Sequence, residues 1–262
     1  MLERDIRHFA FPLNVYAELL RLETGAVEYL HYGFFAAPDE SVTVAQARAT
    51  DWLFERLPAP CRLLEVGIGL GATLGQLARA GFAVHGITPD AGQIRITQAR
   101  NAGLPLTEAR FEDFDSAEPF DLLLFQESSQ YIDSRSLWRR AASLLGAPGR
   151  VMVLDEFRCG GGGNLHALDE FLAAANEAGF ALDAQSDQSA AAAPTVDHLL
   201  AAVERHWSTV VALPGVSEAA LHALQASNRQ YKERYADGSY RYLFLDFSLT
   251  RYGEVQLVSR SM

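Results

Sequence analysis

The stretch Glu65-Val66-Gly67-Ile68-Gly69-Leu70-Gly71 constrains the fold of this chain more than any other. It follows the run Arg62-Leu63-Leu64 and opens the apolar-periodic segment Ala72-Thr73-Leu74-Gly75-Gln76-Leu77-Ala78. The order is strand, glycine loop, helix. Glycines are needed where a chain leaves a parallel strand sharply and its backbone must approach a ligand, because a Cβ would block both the turn and the contact. A bound ligand is expected at this loop. A tight strand-to-helix turn without a ligand is the alternative.

The spacing here is G-x-G-x-G, whereas a dinucleotide site carries G-x-G-x-x-G. Glu65 stands two residues before the first glycine, where a carboxylate accepts hydrogen bonds from an ammonium group and repels a pyrophosphate. The pattern E-x-G-x-G-x-G resembles motif I of the class I S-adenosylmethionine-dependent methyltransferases. The resemblance implies that Glu65, Gly67, Gly69 and Gly71 cradle the methionine end of S-adenosylmethionine.

The second predicted strand ends in Ile87-Thr88-Pro89-Asp90-Ala91-Gly92-Gln93. A nicotinamide dinucleotide usually calls for Asp or Glu here, and Thr88 replaces it. The segment resembles G-[IL]-T-x-[ST]-x-x-Q of the cyclopropane-fatty-acid-synthase-like branch of the same family, with Asp90 in place of Ser. That resemblance gives Thr88, Pro89 and Gln93 to the cofactor, while a plain helix N-cap explains Thr88 equally well. Phe111-Glu112 matches the aromatic and acidic pair of the W-E-x-F loop, a ring face and an acceptor suited to adenine, with a solvated acidic loop as the bland reading of Glu112.

The apolar strand Asp121-Leu122-Leu123-Leu124-Phe125 breaks into Gln126-Glu127-Ser128-Ser129-Gln130-Tyr131. Polar residues at the carboxyl end of a buried parallel strand face the site in such sheets. Gln126 is therefore assigned to the cofactor. Glu127 is assigned to catalysis, to bind a cationic amine or take a proton, against the alternative of a buried structural carboxylate. Gln130 stands where the branch often has His, which removes a general base from that position. Upstream, Tyr29-Leu30-His31-Tyr32-Gly33-Phe34-Phe35 resembles the branch's aromatic Y-x-x-x-Y-F segment, which nominates His31 and Tyr32 as further catalytic candidates. Core packing is the competing explanation of such an aromatic run.

Along the chain, residues 1–60 read as a helical N-terminal extension or lid, with helices over Leu13 to Leu22 and Val44 to Leu57. Residues 61–190 read as the cofactor-binding core. Strands at Arg62–Val66, Ala83–Ile87, Leu106–Ala109, Phe120–Phe125, Arg150–Asp155 and Phe180–Gln185 alternate there with helices. Residues 191–239 read as a helical cap, with helices over 196–207 and 217–234, and 240–262 as the last core strand, Tyr240–Leu249, and a tail. The glycine run Gly160 to Gly163 reads as a loop that can wall a pocket, and Ala190 to Pro194 as a linker. Together with the resemblance, this predicts an α/β fold: a Rossmann-like, doubly wound seven-stranded sheet with a helical N-terminal extension and a helical cap inserted before the last strand. His206, Trp207, Tyr231, Tyr235, Tyr240 and Tyr242 are read chiefly as packing of that cap.

A chain of 262 residues with net charge −11 and no cluster of Lys and Arg is not expected to bind nucleic acid. No stretch has the apolar length of a membrane span, and Cys61 and Cys159 form neither a disulfide framework nor a metal motif, so a cytoplasmic protein without metal or membrane partner is expected. The expected function is methyl transfer from S-adenosylmethionine to a small-molecule acceptor at N, C or O, in specialised metabolism, with a homodimer left open. The alternatives are a lipid-modifying enzyme of the cyclopropane-synthase kind and a non-catalytic protein that binds S-adenosylmethionine.

Overall fold

The computed structural model describes residues 6–37 and 39–250. The tail assigned above to 251–262 and the first five residues lie outside the described part. Two helices come first, α1 (Leu13–Thr24) and α2 (Val42–Phe54). The alternating part then runs β1 (Arg62–Val66), α3 (Ala72–Arg79), β2 (Ala83–Thr88), α4 (Ala91–Arg100), β3 (Leu106–Glu108) and β4 (Phe120–Gln126), continuing with α5 (Ser134–Leu144), β5 (Leu145–Arg158), α6 (Leu168–Glu177) and β6 (Phe180–Asp187). After it come α7 (Ser189–Ala192), α8 (Pro194–Val210), α9 (Glu218–Ala236) and β7 (Tyr240–Leu249).

The strands form one seven-stranded sheet in the order β3-β2-β1-β4-β5-β7-β6. The first five in that order pair in parallel, whereas β7 lies antiparallel between β5 and β6. The sheet is mixed, so the parallel rhythm read from the sequence stops at β5. The order reverses between β1 and β4, and in open α/β sheets the crevice beyond the carboxyl ends of such strands is where ligands sit.

Side chains of a strand alternate between its two faces, and the core divides accordingly. Leu64, Val66, Leu123, Phe125, Val151, Val153, Leu245 and Phe247 face α5 and α6. Leu63, Leu122, Leu124, Met152, Leu154 and Phe244 face Leu53 of α2 and Leu74 and Leu77 of α3. Burial on both faces explains why β4 reads as an unbroken apolar run. Ala192 of α7 is fully buried in the second face, and Phe35 donates its amide to Ala191 O, so the segment read as a linker is a packed helical turn. Its small alanines fit tightly against the sheet, which composition alone cannot distinguish from a spacer.

Helix α1 joins the cap to the core. Val15 and Leu19 pack on Ala202 and Val203 of α8 and on Leu221 and Leu224 of α9, while Ala17 and Leu20 pack with Leu70 and Ile96 of the core. This brings residues 10–13 over the carboxyl edge of the sheet. No described helix is long and apolar enough to cross a membrane.

Trp138 is completely buried in the first face, with its ring 4.6 Å from Phe247 and its Nε1 donating to Phe171 O at 3.1 Å. Truncation there removes a large aromatic and orphans a carbonyl. Trp138→Ala is expected to cost about 3–5 kcal/mol, read as a lowered midpoint of urea unfolding.

Candidate active site

The carboxyl ends of β1, β2 and β4 open into a cavity of about 500 Å³. Glu65, the penultimate residue of β1, is 2% exposed, and its Oε2 has no hydrogen-bond partner among the described residues. Burial pushes its carboxyl up to about 8. A buried, unpartnered carboxylate is costly in a closed protein. It is explained if a ligand presents a donor there.

The glycine loop follows. Gly67 has φ +78°, and a Cβ on it would lie 2.5 Å from Ser128 Cβ. Gly69 has φ +52°, and a Cβ there meets only Leu30 Cδ1 at 3.8 Å, because the space beyond it is the cavity. Gly71 is different. It does not line the cavity, and a Cβ on it would strike Thr97 Cγ2 at 2.4 Å, so it lets α3 approach α4. Its assignment to the cofactor is corrected to a packing role.

Thr88, Pro89 and Gln93 all line the cavity. Thr88 Oγ1 donates to Gln93 Oε1 at 2.7 Å and accepts from Asp90 N at 3.3 Å, while Asp90 caps α4 through Gly92 N and Gln93 N. The cap is thus Asp90. Phe111 and Glu112 reach the cavity from the 3₁₀ turn 111–113. Phe111 packs edge-on against Phe125, and Glu112 accepts from Arg110 at 3.0 Å. Gln126 accepts from Thr73 Oγ1 through Oε1 and carries a buried Nε2 with no partner.

Glu127, the residue after β4, lines the cavity from the strand next to β1 and lies in the left-handed region, with φ +54°. Such a backbone costs a non-glycine residue about 1–3 kcal/mol and is held by its surroundings. Three contacts hold it: Glu127 N donates to Leu154 O at 2.9 Å, and Glu127 Oε1 accepts from Tyr32 N and from Tyr242 Oη, each at 2.6 Å. Burial raises its carboxyl well above the usual range, while the Tyr242 hydroxyl opposes that shift and Glu156 adds to it. The next turn is fixed by Asp155, whose Oδ2 accepts from Ser129 N, Ser129 Oγ and Gln130 N. Behind this wall Glu156 accepts from Tyr235 Oη at 2.6 Å, and burial raises it to about 8.

The two upstream catalytic candidates change role. His31 lines the cavity, yet its Nδ1 donates to Tyr32 O at 2.8 Å, so its Nε2 accepts from Thr50 Oγ1 at 3.1 Å. Burial depresses it to about 4. A neutral ring with both nitrogens engaged is no proton acceptor. The Tyr32 ring lies off the cavity, stacked on Tyr242 at 5.8 Å, and Tyr32 serves Glu127 through its backbone amide. Tyr242 itself, read as packing of the cap, sits on β7 opposite Glu156. Strand alternation signals that it points to one face, but not that β7 lies next to β5.

Residues 64–153 match the family model of a methyltransferase domain. That segment carries a methyltransferase domain. No curated protein matches the chain. Among solved structures, the methyltransferase chain is similar to the (4+2)-cyclase SpnF, at 21% identity and TM-score 0.74 over 90% of this chain and 94% of that one. It is similar to a cyclopropane synthase from Mycobacterium tuberculosis, at 17% identity and TM-score 0.75 over 94% and 98% of the two chains. It also resembles the geranyl diphosphate C-methyltransferase of Streptomyces coelicolor A3(2), at 17% identity and TM-score 0.67 over 92% and 99%. At these identities the likeness is one of fold.

The cavity fits the methyltransferase cofactor by its own geometry. Glu65 offers an acceptor without a protein partner among the described residues, and Gly69 leaves room for a close backbone approach. Thr88, Gln93, Phe111 and Glu112 line the same cavity. One consequence concerns stability. Unfolded, Glu65 loses its proton near about 4.3, whereas in the folded, ligand-free protein it does so near 8. Between these values the folded state holds the extra proton, so stability falls as pH rises. Glu65→Gln is expected to flatten that fall, seen as a melting temperature that drops less than wild type between about pH 5 and 8.

Proposed function

We propose that this methyltransferase moves a methyl group from S-adenosylmethionine to a small-molecule acceptor that meets Glu127. The observation that carries this reading is the pairing of two carboxylates in one cavity. Glu65 Oε2 is without a protein partner beside the glycine loop, and Glu127 is held by one oxygen only. When bound, S-adenosylmethionine would supply an electrophilic methyl group with a sulfide as its leaving group, to be taken by an electron pair of the acceptor.

The chain's own residues position the acceptor, exclude water and hold a proton. Glu127 is the proton holder. Its high affinity for a proton follows from burial, and its fixed Oε1 leaves Oε2 for the acceptor. A volume of about 500 Å³ shared by cofactor and acceptor suits a small molecule better than a lipid chain. We take the cytoplasm and a biosynthetic role as the setting, in keeping with the free thiols Cys61 and Cys159.

Calorimetric titration with S-adenosylmethionine, S-adenosylhomocysteine and NAD tests the reading. The first two are expected to bind and NAD is not. Gly69→Leu, which fills the cavity without meeting the core, is expected to abolish binding while the protein stays folded. Binding of NAD alone, or of none of the three, overturns the assignment.

Tyr242 is a positioning residue in this reading. Tyr242→Phe removes a donor that favours the charged form of Glu127, so the acid limb of the pH profile of turnover is expected to move to higher pH, with a loss in kcat of about tenfold and unchanged cofactor affinity. An unmoved profile removes Tyr242 from the machinery.

A further inference from the structure

Beyond the glycine loop, the same cavity has further lining. It is bounded by Phe11 and Leu13 from the N-terminal segment, by Glu127, and by Tyr131 on the 3₁₀ turn 129–131. Phe11 and Tyr131 are 40% and 77% exposed, which is unusual for large aromatic side chains and places two ring surfaces at the rim.

The charge of the lining is one-sided. Glu28, Glu65, Asp90, Glu112 and Glu127 line the cavity against a single guanidinium, Arg110, which is bonded to Glu112. Asp90 Oδ1 is taken by the amides of α4, and Glu65 faces the glycine loop. With Glu28 exposed, Glu127 is the remaining carboxylate of the lining. Its Oε1 carries two donors, its Oε2 carries no protein partner, and no Lys, Arg or His pairs with it among the described residues. Two more carboxylates, Asp155 and Glu156, lie behind it, also without a cationic partner among the described residues.

The neighbouring side chain points to a ligand independently, as a donor that awaits an acceptor atom. This residue, Gln126, is 8% exposed, lines the same cavity and presents an Nε2 with no partner. An anionic acceptor, such as a diphosphate or a carboxylate, would bring like charge against Glu127 and the acids behind it. A neutral acceptor would gain only a hydrogen bond from Glu127. A cation gains from the carboxylate and from the ring faces together.

We propose that the acceptor is a cationic amine, held with its ammonium group on Glu127 Oε2 and its hydrocarbon body between Phe11, Leu13 and Tyr131. This rests on the methyltransferase reading given above and adds the substrate class. The nitrogen needs its lone pair to become a nucleophile, so the bound ammonium gives a proton to Glu127 Oε2 and becomes a neutral amine. The carboxylate becomes a carboxylic acid, which balances charge and proton. The methylated nitrogen regains the positive charge when its new bond forms.

The test uses the full chain saturated with S-adenosylhomocysteine and three probes of similar shape at neutral pH: phenethylamine, phenethyl alcohol and 3-phenylpropionate. Calorimetry is expected to show the amine binding at least about tenfold tighter than the alcohol, and no saturable binding of the carboxylate. Glu127→Gln is expected to erase the preference for the amine while S-adenosylhomocysteine still binds. Tyr131→Leu, a change at an exposed position, is expected to weaken the amine about two- to fivefold and leave the alcohol unchanged. Alcohol or carboxylate binding as tightly as the amine, a preference that survives Glu127→Gln, or no binding of the amine to the protein loaded with S-adenosylhomocysteine overturns the proposal. Failure of S-adenosylhomocysteine itself to bind overturns the methyltransferase reading instead.

Discussion

Three neighbouring central strands each carry carboxylates to their carboxyl ends, and the rest of the site is arranged around keeping those groups in a protein interior. Glu65 comes from β1, Glu127 from the residue after β4, and Asp155 and Glu156 from β5. Buried acids without cations are costly unless they are hydrogen-bonded or protonated. The chain satisfies them unequally. Asp155 receives two amides and a hydroxyl on one oxygen, and Glu156 receives a tyrosine. Glu65 and one oxygen of Glu127 are left to the cavity. Position separates these acids: Glu65 and Glu127 line the cavity, and Asp155 and Glu156 do not.

The tyrosines give this arrangement its rigidity. Tyr242 reaches Glu127 and Tyr235 reaches Glu156, while Tyr32 stacks on Tyr242 and offers its amide to the same Glu127 oxygen. A phenol donates to a carboxylate without bringing a positive charge, so the wall stays acidic while its geometry is fixed. An arginine in the same place would hold the carboxylate equally well and cancel its attraction for a cation.

Much of this was legible in the sequence where a residue type is dictated by backbone geometry. Glu65, Gly67 and Gly69 announced the loop because a parallel strand that turns sharply into a helix needs glycine there. Thr88, Gln93, Phe111 and Glu112 came from the family resemblance and Glu127 also from its place after a buried strand, and the structure brings all of them to one cavity. Gly71 was indistinguishable from its neighbours, because only the approach of Thr97 from α4 shows that it serves packing. The run from Tyr29 to Phe35 told nothing of which rings face inward, since it lies outside any regular element whose period would sort them. Tyr242 was hidden for a third reason: its role depends on β7 entering the sheet between β5 and β6, a long-range choice that no local pattern encodes.

That late insertion of β7 also sets the order in which the molecule can become competent. The register that joins Arg150 to Ser248 and Glu156 to Tyr242 spans most of the second half of the chain. Contacts so distant in sequence form late, after the entropy of closing the intervening loop has been met. During synthesis the glycine loop, Glu65 and Glu127 are all made well before Tyr242. In a nascent chain Glu127 therefore lacks its tyrosine anchor until β7 has been made.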